Sequence, residues 1–299
     1  MAIFHLSVKT FSRAKAQSAV AAAAYRAGER LIDERVGEVK NYRPRGAVLR
    51  DEGRLILPPG APAWSREKVW NQAEAAENRK NSTVAREVEV SLPAELDRAD
   101  RVRLAHDFGK WLSDEYGVAA DVQIHEPTPK HDDPRNFHSH ILLSTRQLTP
   151  DGFGQKTRIL DDKKTGPEQV ELMRKEWADR VNRALEFRGI EERIDHRSNA
   201  RRGIECTPTI HVGRGAGAAS RAEFNDSVKA LNTELKDLLA ERAQIVAQEA
   251  AKAAQERAEA DFKTFRATVE KQRQDGERAA AAPAMTLEQI TANARAKIA

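Results

Sequence analysis

The residues best suited to chemistry fall between Val118 and Gln147, a stretch that holds four of the eight histidines. It reads as two short strands, Val122 to His125 and Phe137 to Thr145, joined by a loop too rich in Pro and Asp to be strand itself. Side chains alternate across a strand, so His138 and His140 share one face and Ser139 points away. Neutral imidazole is the commonest protein ligand for divalent transition metals, and two on one rigid strand are already oriented for it. If the strands pair as a hairpin, His125, which closes the first, supplies a third ligand; His131, in the loop, is its rival. A lone His-x-His can equally be a hydrogen-bonded surface pair. The third histidine at a strand end and Asn136 beside the pair favour a metal centre.

Tyr25 is the second chemical group. It lies in an Ala-rich run from Ser18 to Glu34 with the strongest helix propensity of the N-terminal half. Alanines give a phenol little to pack against and let another surface approach it closely. It is either an ordinary helix tyrosine on a sheet or a nucleophile, since a phenol oxygen can attack a phosphodiester and hold it as phosphotyrosine. Ile3 to Thr10 alternates as a strand, with Phe4, Leu6 and Val8 toward a core. His5, Ser7 and Lys9 then face either a polar site or water. The strand beginning at Thr83 likewise puts Val84, Arg86, Val88 and Val90 on one face and Glu87 and Glu89 on the other.

Phosphate-binding candidates come from the Gly-, Pro- and Arg-rich excursion of Val36 to Pro62, with Arg43, Arg45 and Arg50, and from Lys156 and Arg158 after the histidine hairpin. A charge run of this kind is also what a solvated loop looks like. The elements that must position these groups are helices over Trp64–Lys80, Asp97–Tyr116 and Pro167–Phe187, the second with a stripe of Leu104, Phe108, Trp111 and Leu112. The element order describes an α+β domain with a mainly antiparallel sheet and helices on one face. An irregular arm from Ile194 to Gly217 adds Arg197, Arg201, Arg202, Arg214, His196 and His211. Beyond Ala218, Phe224, Val228, Leu231, Leu235, Leu238 and Ile245 keep a three-four spacing broken by Arg242, which fits a short coiled coil for self-association, a partner-binding helix or a solvated one. Pro283 ends that helix before a last one from Thr286.

Composition bounds the answer. Fifty basic side chains against 46 acidic give +4, which permits a polyanionic partner without requiring one. The single Cys206 excludes an intramolecular disulfide framework and Cys-based zinc modules, and fits a reducing cytosol. Neither a signal-peptide pattern nor a run of roughly 18 apolar residues is present, so a soluble, cytoplasmic protein without membrane insertion is expected. With no Walker A pattern in the chain, helicase activity is not expected. A metal on three neutral histidines would polarise a phosphate, a tyrosine would attack it, and basic loops would grip the strand. Together these favour metal-assisted nicking of DNA through phosphotyrosine.

The blocks MAIFHLSVKTFSRAKAQSAVAAAAYRAG, AREVEVSLP, IHEP followed by NFHSHILLSTR, DHRS and PTIHVG together resemble the MobA/MobL family of plasmid mobilisation relaxases, within the nucleases of His-hydrophobic-His signature. The resemblance covers roughly residues 1 to 215. It implies a five-stranded antiparallel sheet flanked by helices in a relaxase domain over 1–215; the helical tail over 216–299, with its coiled-coil-like spacing, lies outside it. It implies that Tyr25 attacks the scissile phosphate at a transfer origin and keeps the 5′ end, and that His138, His140 and His125 hold Mg²⁺ or Mn²⁺, with His131 still the alternative to His125 and zinc another candidate. Glu87 becomes an orienting or base residue, and Lys9, Arg26, Arg43, Arg45, Lys156 and Arg158 candidate DNA contacts. Implied partners are single-stranded or melted DNA at the transfer origin, accessory mobilisation proteins and a type IV secretion coupling protein, in a bacterial cytoplasm. The competing expectations are a rolling-circle replication initiator or transposase of the same group, and a non-catalytic DNA-binding protein dimerising through its tail.

Overall fold

The computed structural model describes residues 3–44, 46–128, 133–210, 212–213, 215–281 and 285–297; Arg45, His131, His211, Arg214 and Pro283 lie outside them. Strand β7 (His138–Thr149) organises the sheet. Its alternation sends Ile141 and Leu143 into one core cluster and Leu142 into another, on the side that also carries His138 and His140. It pairs antiparallel with β5 (Thr83–Ser91) on one side and β6 (Val118–His125) on the other. Edge strands β1 (Leu6–Ser12) and β4 (Arg54–Ile56) complete the order β1-β5-β7-β6-β4, antiparallel throughout. The far end of β7 also pairs with β8 (Gly152–Lys156). The expected α+β fold with a five-stranded antiparallel path is present, with β8 added to it.

Helices cover both faces of the sheet, not one. Phe108 and Leu112 of α3 (Arg98–Tyr116), with Met173, Trp177, Val181 and Leu185 of α4 (Thr165–Phe187), pack on Val88, Val122, Ile141 and Leu143. Each such large side chain contributes about 1.5–3 kcal/mol by leaving water. On the other face α1 (Ala19–Ala27) and α2 (Arg66–Ala75) lay Ala22, Ala23, Val69 and Trp70 against Ala85, Ala119 and Leu142. This second layer is built largely of alanine on alanine. It allows close approach, and it leaves none of the bulky periodicity that announces α3 and α4.

Several boundaries differ from expectation for local reasons. The helix expected to reach Glu34 stops at Ala27, because Gly28 adopts φ 61° and sends its N–H to Ala24 O. The chain then forms a hairpin of β2 (Arg30–Asp33) and β3 (Glu38–Asn41), turning through Gly37 at φ 69°. The stretch read as an irregular excursion thus supplies β3 and β4, and the turn after β7 supplies β8. The second helix ends at Ala75, short of Lys80, and β6 starts at Val118, ahead of Val122.

The chain divides into two compact units, Met1–Ser198 and Asn199–Ala299. In the second, α5 (Ala218–Ala281) runs 64 residues and α6 (Leu287–Ala296) follows behind a capping box of Thr286 and Gln289. Asn225 and Asn232 each bond both backbone groups of one arm residue, Ile210 at 2.7 and 2.8 Å and Thr207 at 2.8 Å, laying that arm along the helix. Among the described residues no helix is long and apolar enough to cross a membrane.

Candidate metal centre

The β6–β7 register sets His125 opposite His138 and Gln123 opposite His140. His125 is fixed from its other side too, by a bridge to Val48 and a 3.0 Å bond from Leu49 N to Ile124 O. The three imidazoles meet edge to face, with centroids 4.7, 5.1 and 5.3 Å apart. One nitrogen from each lies within 4.8 Å of the other two.

Each ring has one nitrogen engaged by an acceptor. His140 Nδ1 donates to Glu87 Oε1 at 2.6 Å, His138 Nδ1 to Asn136 O at 2.9 Å and His125 Nε2 to Arg26 O at 2.9 Å. Carbonyl oxygens and an ionised carboxylate only accept, so the proton sits on those nitrogens and the lone pair on the other. Metal-ligating histidines are usually held this way. Three imidazole nitrogens, one backed by a carboxylate and two by carbonyls, suit a divalent cation, and Glu87, Glu89 and His140 form a second group of donors as close to one another.

Glu87 has no exposed surface. Burial alone would raise its pKa; the hydrogen bond from His140, then the charges of Arg26, His140 and Lys9, outweigh it and hold Glu87 at about 2. Arg26 Nε donates to Glu87 Oε2 at 2.5 Å, while the Arg26 guanidinium lies 4.8 Å over the Phe11 ring. Glu89, bonded by Lys9 and 3.8 Å from His140 Nδ1, is also held below the ordinary carboxylate range: burial opposes the shift and Lys9 drives it. The polar face of β1 therefore borders this site. Lys9 and Arg26, expected as DNA contacts, are engaged with its carboxylates.

Tyr25 stands on the last turn of α1, 43% exposed, its ring edge-on to Tyr42 at 5.2 Å. With Arg26 it lines a cavity of about 700 Å³. Arg26 ties this end of the helix to the histidines twice, by its carbonyl to His125 and its guanidinium to Glu87. Arg43 is exposed after β3, and its carbonyl accepts from Arg50 at 2.6 Å. Lys156 pairs with Glu77 at 3.0 Å and, with exposed Arg158, lines a second cavity of about 640 Å³ that none of the three histidines borders.

A buried network lies further along the same face of β6 as His125, and no sequence expectation names it. Asp121, 1% exposed, accepts from Arg66 Nε at 2.9 Å, Trp70 Nε1 at 3.0 Å and Gln123 Nε2 at 2.6 Å. Its signal was an Asp inside VAADVQIH, since a buried carboxylate needs several donors.

Residues 17–222 match the model of the MobA/MobL family. The mobilization protein MobL of Acidithiobacillus ferridurans is 42% identical over 252 residues, 76% of this chain and 66% of that protein. The conjugal transfer protein TraA of Agrobacterium fabrum (strain C58) is 32% identical over 258 residues, 77% of this chain and 23% of TraA. The chain thus spans only part of the curated relatives it matches. A solved structure described as the molecular basis of vancomycin resistance transfer in Staphylococcus aureus aligns with TM-score 0.58 at 32% identity, over 66% of this chain and 100% of that one. With well over half of its length matched, this chain belongs to the MobA/MobL family.

Proposed function

We propose that the chain is a strand-specific DNA relaxase that nicks a plasmid transfer origin for conjugative mobilisation, with Tyr25 as nucleophile and His125, His138 and His140 as the ligands of a divalent metal, Mg²⁺ or Mn²⁺. The observation that carries this is Arg26, which joins the end of the Tyr25 helix to His125 through its carbonyl and to His140 through Glu87. When bound, the metal supplies positive charge to the scissile phosphate, offsetting what builds up as the bond breaks. The Tyr25 oxygen attacks phosphorus and its proton leaves; the bond to the 3′ oxygen breaks and that oxygen takes up a proton. The 5′ phosphate stays on Tyr25 as an ester, which preserves the bond for religation. Glu87 acts as the orienter of His140 and Arg26, because a carboxylate held at about 2 makes a poor proton acceptor near neutral pH. Partners on this reading are single-stranded or melted DNA at the origin, accessory mobilisation proteins and a type IV coupling protein; exposed Leu231, Leu238 and Ile245 on α5 support self-association.

The test supplies Mn²⁺ and supercoiled plasmid carrying the origin, then maps the residue joined to the 5′ phosphate. A peptide bearing Tyr25 is expected, and Tyr25→Phe should form no adduct while folding normally. Nicking with the phosphate on another residue would remove the nucleophile assignment.

A further inference from the structure

Helix α1, with Tyr25 in its last turn, is held at both ends. At its start Ala21 N donates to Ser18 Oγ at 3.2 Å and Ala19 N to Glu74 Oε1 at 2.7 Å. Glu74, its side chain 1% exposed, also pairs with Arg13 and Arg35. At the other end the chain turns left-handed at Gly28, and the carbonyls around that turn need donors from elsewhere. Arg50 supplies them: its Nε donates to Gly28 O at 2.9 Å and its Nη2 to Arg43 O at 2.6 Å. A cation at this end also suits the helix dipole. Gly28 leaves room for it, since a Cβ there would lie 3.0 Å from Arg50 Nε and 3.1 Å from Nη2.

The two carbonyls that Arg50 joins flank the two tyrosines. Gly28 is three residues past Tyr25, and Arg43 follows Tyr42, whose ring meets that of Tyr25 edge-on at 5.2 Å. Between them Tyr42 N donates to Glu29 O at 2.9 Å. One guanidinium therefore closes the backbone around the aromatic pair. Arg50 opens the short turn Arg50–Glu52 directly after Val48 and Leu49, of which the first bridges His125 and the second bonds Ile124 O at 3.0 Å. It thus joins the tyrosine helix to the strand that ends at His125 by a route separate from Arg26. The sequence pattern offered Arg50 as a phosphate contact; the structure turns its fork onto the protein's own carbonyls.

We infer that Arg50 is a positioning residue for Tyr25: its two hydrogen bonds set the end of α1 and, through Tyr42, the orientation of the phenol relative to the three histidines. The planar fork does this and not the charge, because a lysine ammonium is a point donor on a flexible stem and does not reproduce the paired geometry. The consequence for rate rests on the nicking reading above; the ordering of the ring does not.

The test labels the full chain with fluorotyrosine, so that its three tyrosines give three fluorine resonances, that of Tyr25 being assigned by its loss in Tyr25→Phe. Arg50 is exposed, so Arg50→Met and Arg50→Lys should both fold. In each, the Tyr25 and Tyr42 resonances should shift or broaden, while that of Tyr116, packed on the other face of the sheet, stays in place. With protein in excess over plasmid carrying the origin and Mn²⁺ present, the rate of adduct formation should fall about 10- to 100-fold in Arg50→Met, the size of loss that misplacing a nucleophile brings. Arg50→Lys should lose nearly as much, and the affinity of both for the same DNA in EDTA should match that of the parent. A rate restored in Arg50→Lys, or a loss of affinity that accounts for the loss of rate, makes Arg50 a phosphate contact and overturns the proposal. An unmoved Tyr25 resonance in Arg50→Met overturns it as well. If the parent forms no adduct on Tyr25 the nicking reading fails, and Tyr25 resonances moved in both Arg50 variants still keep Arg50 as the support of that ring.

Discussion

His140 Nδ1 lies 2.6 Å from Glu87 Oε1, and this one hydrogen bond decides which nitrogen of the ring His140 turns toward His125 and His138. Glu87→Gln keeps the size of the side chain and removes its charge. The amide can also present N–H to the ring, so the tautomer is no longer dictated. We expect Mn²⁺ affinity, measured by calorimetry, to fall about 10- to 100-fold, with the yield of the Tyr25 adduct falling alongside. Equal Mn²⁺ affinity in variant and parent would mean that Glu87 serves Arg26 alone.

The same carboxylate gives an acid signature. Its pKa falls from 4.5 to about 2 on folding, so ionised Glu87 favours the folded state. That contribution is complete above pH 4.5 and is lost as pH drops through about 2. Urea midpoints taken in EDTA should show Glu87→Gln less stable than the parent near neutral pH, with the gap closing across this window. A gap that stays constant down to pH 2 would contradict it.

Gly53 makes room for the neighbour of the metal centre. A Cβ there would lie 2.2 Å from Gln123 Oε1, and Gln123 sits opposite His140 across the β6–β7 pair. Gly53→Ala should cost about 1–3 kcal/mol through this overpacking. Adding Gln123→Ala removes the obstructing amide, so the double variant should be destabilised by less than the sum of the singles. Simple additivity in urea melts would show that the clash is relieved elsewhere.

Period and residue type made the histidine cluster legible in the sequence. Alternation put His138 and His140 on one face; His125 as a third needed the two strands to pair as a hairpin and had His131, which lies outside the described residues, as its rival, and the structure gathers His125 with the pair. Alternation on β5 put Glu87 and Glu89 on one face and left water or a polar site open; only the family resemblance proposed Glu87 as an orienting or base residue. The α1 boundary was not legible, because Gly28 ends an otherwise uninterrupted run of helix formers by taking a left-handed φ that propensity does not register. Short β4 was hidden in an Arg-, Gly- and Pro-rich stretch, and β8 in a glycine-rich turn, since three to five residues give too little alternation to read. Glu74 and Glu77 were invisible as buried residues. Nothing local distinguishes them from solvated helix carboxylates until Arg13, Arg35, Arg146 and Lys156 arrive from distant parts of the chain.

Asp121 separates holding the fold from holding the metal. It lies four residues before His125 on β6, and its carboxylate is the acceptor for Arg66, Trp70 Nε1 and Gln123. Asp121→Ala leaves the Arg66 guanidinium, only 15% exposed, with the half-exposed Glu29 as its remaining ion partner and strands an indole N–H. Losing a member of a buried ion pair costs about 3–5 kcal/mol when the other is left uncompensated; with Glu29 retained, urea unfolding should move by about 3 kcal/mol and Trp70 emission should shift. His125 is aimed by other contacts, the Arg26 carbonyl and the Val48 bridge, so protein that remains folded should bind Mn²⁺ nearly as before. A large loss of Mn²⁺ affinity in the folded variant would instead make this network a support of the metal centre itself.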